Sequence, residues 1–212
     1  MTDSAHAEFE RLVAELSAAG DDDEYGRIRK SIWERFGTSG ATLISDMANF
    51  SSTSRSLGIC HFLKMIHRAR QLVGPIIEAN NGILIKTEAD NCYAFFEDPD
   101  DAVRASFDLN AKLFDSNREL DLDERIYLSV GIDYGELLLI GQSEFYGDPV
   151  NTASKLGEDL ANKGETLVTE RALNRTSLTV DDKVERMIAR VSDIEISYVR
   201  IPMTQSLKGM IA

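Results

Sequence analysis

Apolar residues recur at helical spacing near the start of the chain, where Phe9, Leu12, Val13 and Leu16 mark one side of residues 4–19. Intervals of three and four bring side chains to one helical face, so a helix is predicted there, closed by Ala18-Ala19-Gly20. The acidic run Asp21-Asp22-Asp23-Glu24 suits the solvated start of a second helix over 24–35, which carries Tyr25, Ile28, Ile32 and Trp33. From residue 41 the pattern changes. Ala41 to Ser45 is a short apolar run that predicts a buried strand, followed by polar residues 46–56. A long helix comes next: Ile59, Phe62, Leu63, Ile66, Ala69, Val73, Ile76 and Ile77 keep to one face until Asn80-Asn81-Gly82, a turn that tolerates positive φ.

Residues 83–87 and 91–96 read as a hairpin with the polar tip Glu88-Ala89-Asp90. Helical period returns over 99–114, with Pro99 suited to the first turn. A strand is expected over 126–132, an irregular break at Asp133-Tyr134-Gly135, and renewed β character over 137–140. The remaining elements are a helix from about Pro149 to Asn162, a strand at 166–168, a short helix over 170–175 and a closing strand over 194–201. Strands and helices mix without strict βαβ alternation, which predicts an α+β fold, an α/β sandwich containing antiparallel pairs. Length and hydropathy fit one core: 212 residues, 43% hydrophobic, with only 4 prolines. The expected organisation is a helical extension over 1–37, read first as plain packing with a cap or a dimer contact as the alternative, and one domain over 38–212.

Composition narrows the functional classes. A formal net charge of −13 speaks against a protein that tracks nucleic-acid phosphates, which requires clustered Lys and Arg. No apolar run approaches a membrane span and no signal peptide is seen, so a soluble cytoplasmic protein is expected, with Cys60 and Cys92 as core thiols. His6, His61 and His67 form no nucleophile or metal set and read as helix-surface residues, and Ser51 and Ser52 lack a triad-like setting. Asp46 and Asp90 each follow a strand-like run. Converging carboxylates there suit Mg²⁺, although solvated turn aspartates give the same pattern.

The segments around them resemble the class III adenylyl and guanylyl cyclases over about residues 40–170. Leu43-Ile44-Ser45-Asp46-Met47-Ala48-Asn49-Phe50 is similar to that family's first metal motif, an apolar strand ending in Asp with an aromatic residue four places later. Asn81-Gly82 through Lys86 to Asp90 resembles its Gly-led strand, lysine and second metal Asp. Val130-Gly131-Ile132-Asp133-Tyr134-Gly135-Glu136 is similar to its Gly-Ile-x-x-Gly strand, and Tyr146-Gly147-Asp148-Pro149-Val150-Asn151 through Lys155 to its catalytic Asn helix. The motifs stand in the family order and at the family spacing.

The resemblance implies a ferredoxin-like class III cyclase domain, with a mixed, largely antiparallel sheet flanked by helices, joined head to tail as a homodimer with active sites at the interface. Asp46 and Asp90 of one copy would hold two Mg²⁺ or Mn²⁺ ions. Lys86, Glu144, Asn151 and Lys155 would come from the other copy, Lys86 and Glu144, with Phe50, binding the substrate and its base, and Asn151 and Lys155 acting on ribose and α-phosphate. Asn151 and Lys155 are four apart, which places both on one helical face. The implied reaction closes a nucleoside triphosphate to a 3′,5′-cyclic nucleotide and pyrophosphate. ATP is the first reading, because Lys86 stands where guanylyl cyclases carry Glu. Two alternatives stay open: a pyrimidine cyclase of bacterial phage defence making cyclic UMP or cyclic CMP, and a degenerate domain that binds nucleotide without turnover. Departures from the family pattern are Lys155 for Arg, Ala89 for Gly, Ala48 and Asn49 where a Gly is usual, and a closing strand without the Leu-Lys-Gly motif whose lysine meets the terminal phosphates; Arg190 and Lys183 lie near.

Overall fold

Two helices open the chain, α1 (Thr2–Ala18) and α2 (Asp22–Phe36), in a computed structural model that describes residues 2–48, 55–178, 184–191 and 194–202. Asp21 caps α2 by accepting from the N–H of Glu24, and Asp22, Asp23 and Glu24 occupy the first turn, where the helix dipole favours negative charge. Phe9 and Leu12 of α1 pack with Ile32 and Phe36 of α2, while Tyr25 and Trp33 stay exposed. Chain then passes directly into β1 (Gly37–Met47), longer than the predicted 41–45 because the polar stretch Gly37 to Gly40 pairs with residues 135–138.

Helix α3 (Ile59–Ala79) buries Phe62, Met65, Ile66, Ala69, Val73 and Ile77. Ile59 and Leu63, expected on the same face, are exposed, since the buried stripe narrows at the first turn. The hairpin β2 (Ile83–Glu88) and β3 (Asn91–Phe96) follows, then α4 (Pro99–Asn117), capped by Asp98. Strand β4 (Leu128–Ile140) runs without the predicted break. Asp133-Tyr134-Gly135 stays extended because Thr42, Ala41 and Gly40 of β1 pair with it in unbroken register. After β5 (Glu144–Tyr146) come α5 (Asp148–Ser154), a π-helical turn (Lys155–Leu160), β6 (Glu165–Thr169), α6 (Glu170–Leu173), β7 (Glu185–Val191) and β8 (Ile194–Pro202).

The strands form one sheet in the order β2-β3-β1-β4-β6-β8-β7, with β5 paired to β4. The β4–β6 pairing is parallel and the other ladders are antiparallel. Its first half, β1-α3-β2-β3-α4-β4, is the βαββαβ arrangement of ferredoxin-like folds. Helices α3 and α4 cover one face, where Phe62, Ile77, Leu109, Leu43, Ile132 and Val130 join the main core. Each such side chain contributes about 1.5–3 kcal/mol before conformational entropy is set against it. The other face is covered locally by Ile85, Phe95, Leu137 and Phe145. Among the described residues no helix is long and apolar enough to cross a membrane. Cys92 is buried and its thiol is pushed up to about 12 by desolvation, whereas Cys60 is exposed at the start of α3 and is not a core thiol.

Candidate functional site

Two carboxylates meet at one end of the sheet. Asp46 lies within β1, opposite Ser129 of β4, and Asp90 sits in the turn joining β2 and β3. Glu88 pairs with Asn91, so the tip shrinks to Ala89-Asp90. Ala89 takes φ +49°, keeping the left-handed backbone that a glycine adopts freely at a cost of about 1–2 kcal/mol. Arg70 of α3 holds this tip, donating from Nη2 to the Ala89 carbonyl at 2.7 Å. The Asp46 carboxyl group lies close to that of Asp90. Burial first, then the charge and closeness of Asp90, and then Glu158 push the Asp46 carboxyl up to about 7, against the backbone N–H of Met47. Two carboxyl groups close enough to share a proton present the charge and oxygen donors that a divalent cation would take in its place. Among the described residues no cluster of three or more His, Cys, Asp or Glu side chains is arranged for a metal.

The second constellation rides on α5 and the π-helical turn. Asn151 and Lys155 line an open groove of about 460 Å³ with Asp148, Ser154, Glu158 and Asp159. The helix predicted over 149–162 changes character after Ser154, because it is pressed onto the sheet at two glycines. A Cβ on Gly131 of β4 would lie 2.0 Å from the Ala153 carbonyl and 2.6 Å from the Gly157 nitrogen, and one on Gly157 would lie 2.8 Å from the Ile44 carbonyl. The N-terminal end of α5 is held as well. Thr42 donates to the Pro149 carbonyl at 2.9 Å, and Arg171 reaches Asp148 Oδ2 at 2.6 Å.

Lys86 flanks the face covered by Phe145, whereas Glu144, next to Phe145 on β5, alternates to the other face with Tyr146 and α1, so the structure does not bring these two predicted base-binding residues into contact. Lys86 lies over the Tyr93 ring, 5.0 Å from its centroid, and donates to Glu88 at 3.1 Å. Tyr93 packs edge-on against Phe145, centroids 6.5 Å apart, and Phe145 stands beside Glu144 on β5. Phe50, with Ser51 and Ser52, lies outside the described residues, as does Lys183.

Several groups escaped the sequence reading. Glu158 accepts from Ser154 Oγ at 2.5 Å and from Asn91 Nδ2 at 3.1 Å, which ties the π-helical turn to the hairpin carrying Asp90. Its spacing of seven from Asn151 and three from Lys155 was the available signal. Asp133, fully buried, is paired with Arg171, accepts from Thr169 Oγ1 at 2.5 Å and from the Tyr134 N–H at 2.8 Å; burial raises its carboxyl while Arg171 and Thr169 draw it back. His6 is a helix-surface residue as expected, and its Nδ1 lies 3.9 Å from Glu144 Oε2. Leu207-Lys208-Gly209 follows the closing strand, six residues past Ile201, rather than being absent from the chain; it lies outside the described residues.

The ferredoxin-like core with this sheet order has the fold of class III nucleotidyl cyclase catalytic domains. The candidate adenylate cyclase 3 of Rhizobium meliloti (strain 1021) is 28% identical over 131 residues, 61% of this chain; the matched part is 22% of that protein's length, so the chain corresponds to about a fifth of its relative. Among solved structures, an adenylate/guanylate cyclase/hydrolase from Silicibacter pomeroyi is 24% identical and covers 77% of this chain and 96% of its own, with a TM-score of 0.60. The guanylyl cyclase Cya2 is 18% identical over 81% of this chain and 98% of its own, with a TM-score of 0.68. No protein-family model matches.

Proposed function

We propose that this chain is a nucleotidyl cyclase, converting a nucleoside triphosphate to its 3′,5′-cyclic monophosphate and pyrophosphate at sites built between two copies of itself. The observation that carries the reading is the pairing of Asp46 with Asp90, close together and partly buried at the strand ends of a class III cyclase fold. A pure binding module has no need to hold two carboxyl groups together against their repulsion. These residues would hold the divalent cations, whose chemistry is to acidify the ribose 3′-hydroxyl and neutralise the departing pyrophosphate. Asn151 would hold the ribose and orient the hydroxyl for in-line attack on the α-phosphorus, and Lys155 would place a point charge beside the α-phosphate. Lys155 grips phosphate less firmly than the bidentate guanidinium usual in the family, so a slower enzyme is expected.

The base would be read by Lys86 as donor and Glu144 as acceptor. An acidic acceptor takes an exocyclic amine, so ATP leads. CTP, whose cytosine also carries an exocyclic amine, is favoured by one specific feature, the extra methylene of Glu144 over the usual Asp, which narrows the space for a purine; cyclic CMP is therefore the second reading. Incubation with each of ATP, GTP, CTP and UTP, first with Mn²⁺ and then with Mg²⁺, tests the proposal by mass spectrometry. One dominant cyclic nucleotide with equimolar pyrophosphate is expected. No cyclic product from any of the four would contradict it.

A further inference from the structure

Glu144 is held from outside the catalytic half of the fold. Tyr146, two residues on along β5, donates from its hydroxyl to Glu144 Oε2 at 2.5 Å. His6 of α1 approaches the same oxygen at 3.9 Å, an ion pair whenever the imidazole is protonated. The Tyr146 ring is itself placed by α1, since Phe9 stacks on it with centroids 5.7 Å apart and planes 11° from parallel. Phe9 in turn is fixed edge-on against Phe36 at 5.4 Å, within the cluster of Leu12, Ile32 and Ile140 that docks the helical pair onto β4. An unbroken set of contacts thus runs from the buried side of α1 to one oxygen of one carboxylate.

Such anchoring matters for a glutamate more than for an aspartate. Its additional rotatable bond lets the carboxylate swing, and a swinging acceptor discriminates poorly between bases because its reach adapts to each. Both contacts use Oε2, so the acceptor role towards a base falls to Oε1. We infer that helix α1 sets the base preference of the site: Tyr146 and His6 are positioning residues that hold Glu144 as an acceptor for a base bearing an exocyclic amine. This rests on the cyclase reading for the identity of the ligand. The contacts from α1 to Glu144 stand independently of it.

The test uses the full chain and the variants Tyr146→Phe, which keeps the stack on Phe9 and removes only the hydroxyl, and His6→Ala. Each is compared with wild type in KM and kcat for the four nucleoside triphosphates, and in equilibrium binding of the four 3′-deoxynucleoside triphosphates with Mn²⁺, which lack the attacking hydroxyl. Tyr146→Phe is expected to reduce the preference for the best base over the others by about tenfold, mainly through KM and with the same shift in binding, and His6→Ala to act in the same direction by less. A purely structural role would lower kcat for all four alike. An unchanged ratio between bases in both arms overturns the inference. Failure of the cyclase reading is seen separately, as wild-type binding without cyclic product, and the binding ratios then still decide the role of Tyr146.

Discussion

Asp46→Ala is expected to lower cyclic-nucleotide formation by about a thousandfold or more while the domain stays folded, because it removes half of the carboxylate pair proposed to hold the cations. Folding is expected to gain rather than lose in metal-free protein. Asp46 titrates at about 7 in the folded chain against 3.8 as an ordinary aspartate. The folded state therefore holds a proton that the unfolded chain has released, and stability contributed by this group falls as pH rises across that interval. Relative to Asp46→Ala, the metal-free wild type should lose melting temperature between about pH 4 and pH 7, and stabilisation by Mn²⁺ should grow over the same window as the cation replaces the bound proton. Thermal unfolding with and without Mn²⁺, alongside turnover, checks both halves. Turnover at the wild-type rate in Asp46→Ala would remove the metal assignment, and a Mn²⁺ shift independent of pH would show that the carboxyl pair is not where the ion binds.

Gly131→Ala is the second large effect, expected to cost about 3 kcal/mol or more of stability and most of the activity. A methyl group at this point of β4 would stand 2.0 Å from the backbone oxygen of Ala153 and 2.6 Å from the backbone nitrogen of Gly157. Neither is the end of a side chain that can turn aside. The whole of α5 and the π-helical turn would have to lift from the sheet, yet its other end is tied down by Thr42 on Pro149 and by Arg171, which bridges buried Asp133 and Asp148. Asn151 and Lys155 sit between these restraints. The strain consequently falls on the residues proposed to orient ribose and α-phosphate, and a misplacement of about 1 Å there is worth a factor of a hundred in rate. Denaturant unfolding and steady-state kinetics measure the two losses. A stable Gly131→Ala chain with full activity would mean that the helix is not clamped at this glycine.

Long elements with clean periodicity were legible in the chain itself. The stripe from Phe62 to Ile77 announced α3, and the two apolar runs around Ala89-Asp90 announced the hairpin. What periodicity could not show was decided by pairing partners far away in sequence. Asp133-Tyr134-Gly135 looks like a break locally, but the register of β4 with Thr42, Ala41 and Gly40 keeps it extended. The π-helical turn follows from two glycines pressed together, Gly131 and Gly157, which lie 26 residues apart in the sequence. Strand β7 was missed because its polar and apolar residues sit at an edge, paired on one side with β8. For the site, Asp46, Asp90 and Asn151 stood out through the family resemblance rather than through any spacing of their own. The approach of the two aspartates, the Glu158 link to the hairpin and the hold of α1 on Glu144 depend on contacts between distant segments.

The central claim is that two copies of this chain complete each other's catalytic site, and complementation tests it most directly. Asp46→Ala and Asn151→Ala are co-expressed with different affinity tags, and the mixed dimer is purified through both and assayed with the best nucleoside triphosphate. Each variant alone should be inactive. The mixed dimer carries one site lacking both residues and one site intact, and is predicted to form cyclic nucleotide at about half the wild-type rate per dimer. An inactive mixed dimer beside an active wild type would place Asp46 and Asn151 in the same chain's site and contradict the shared architecture.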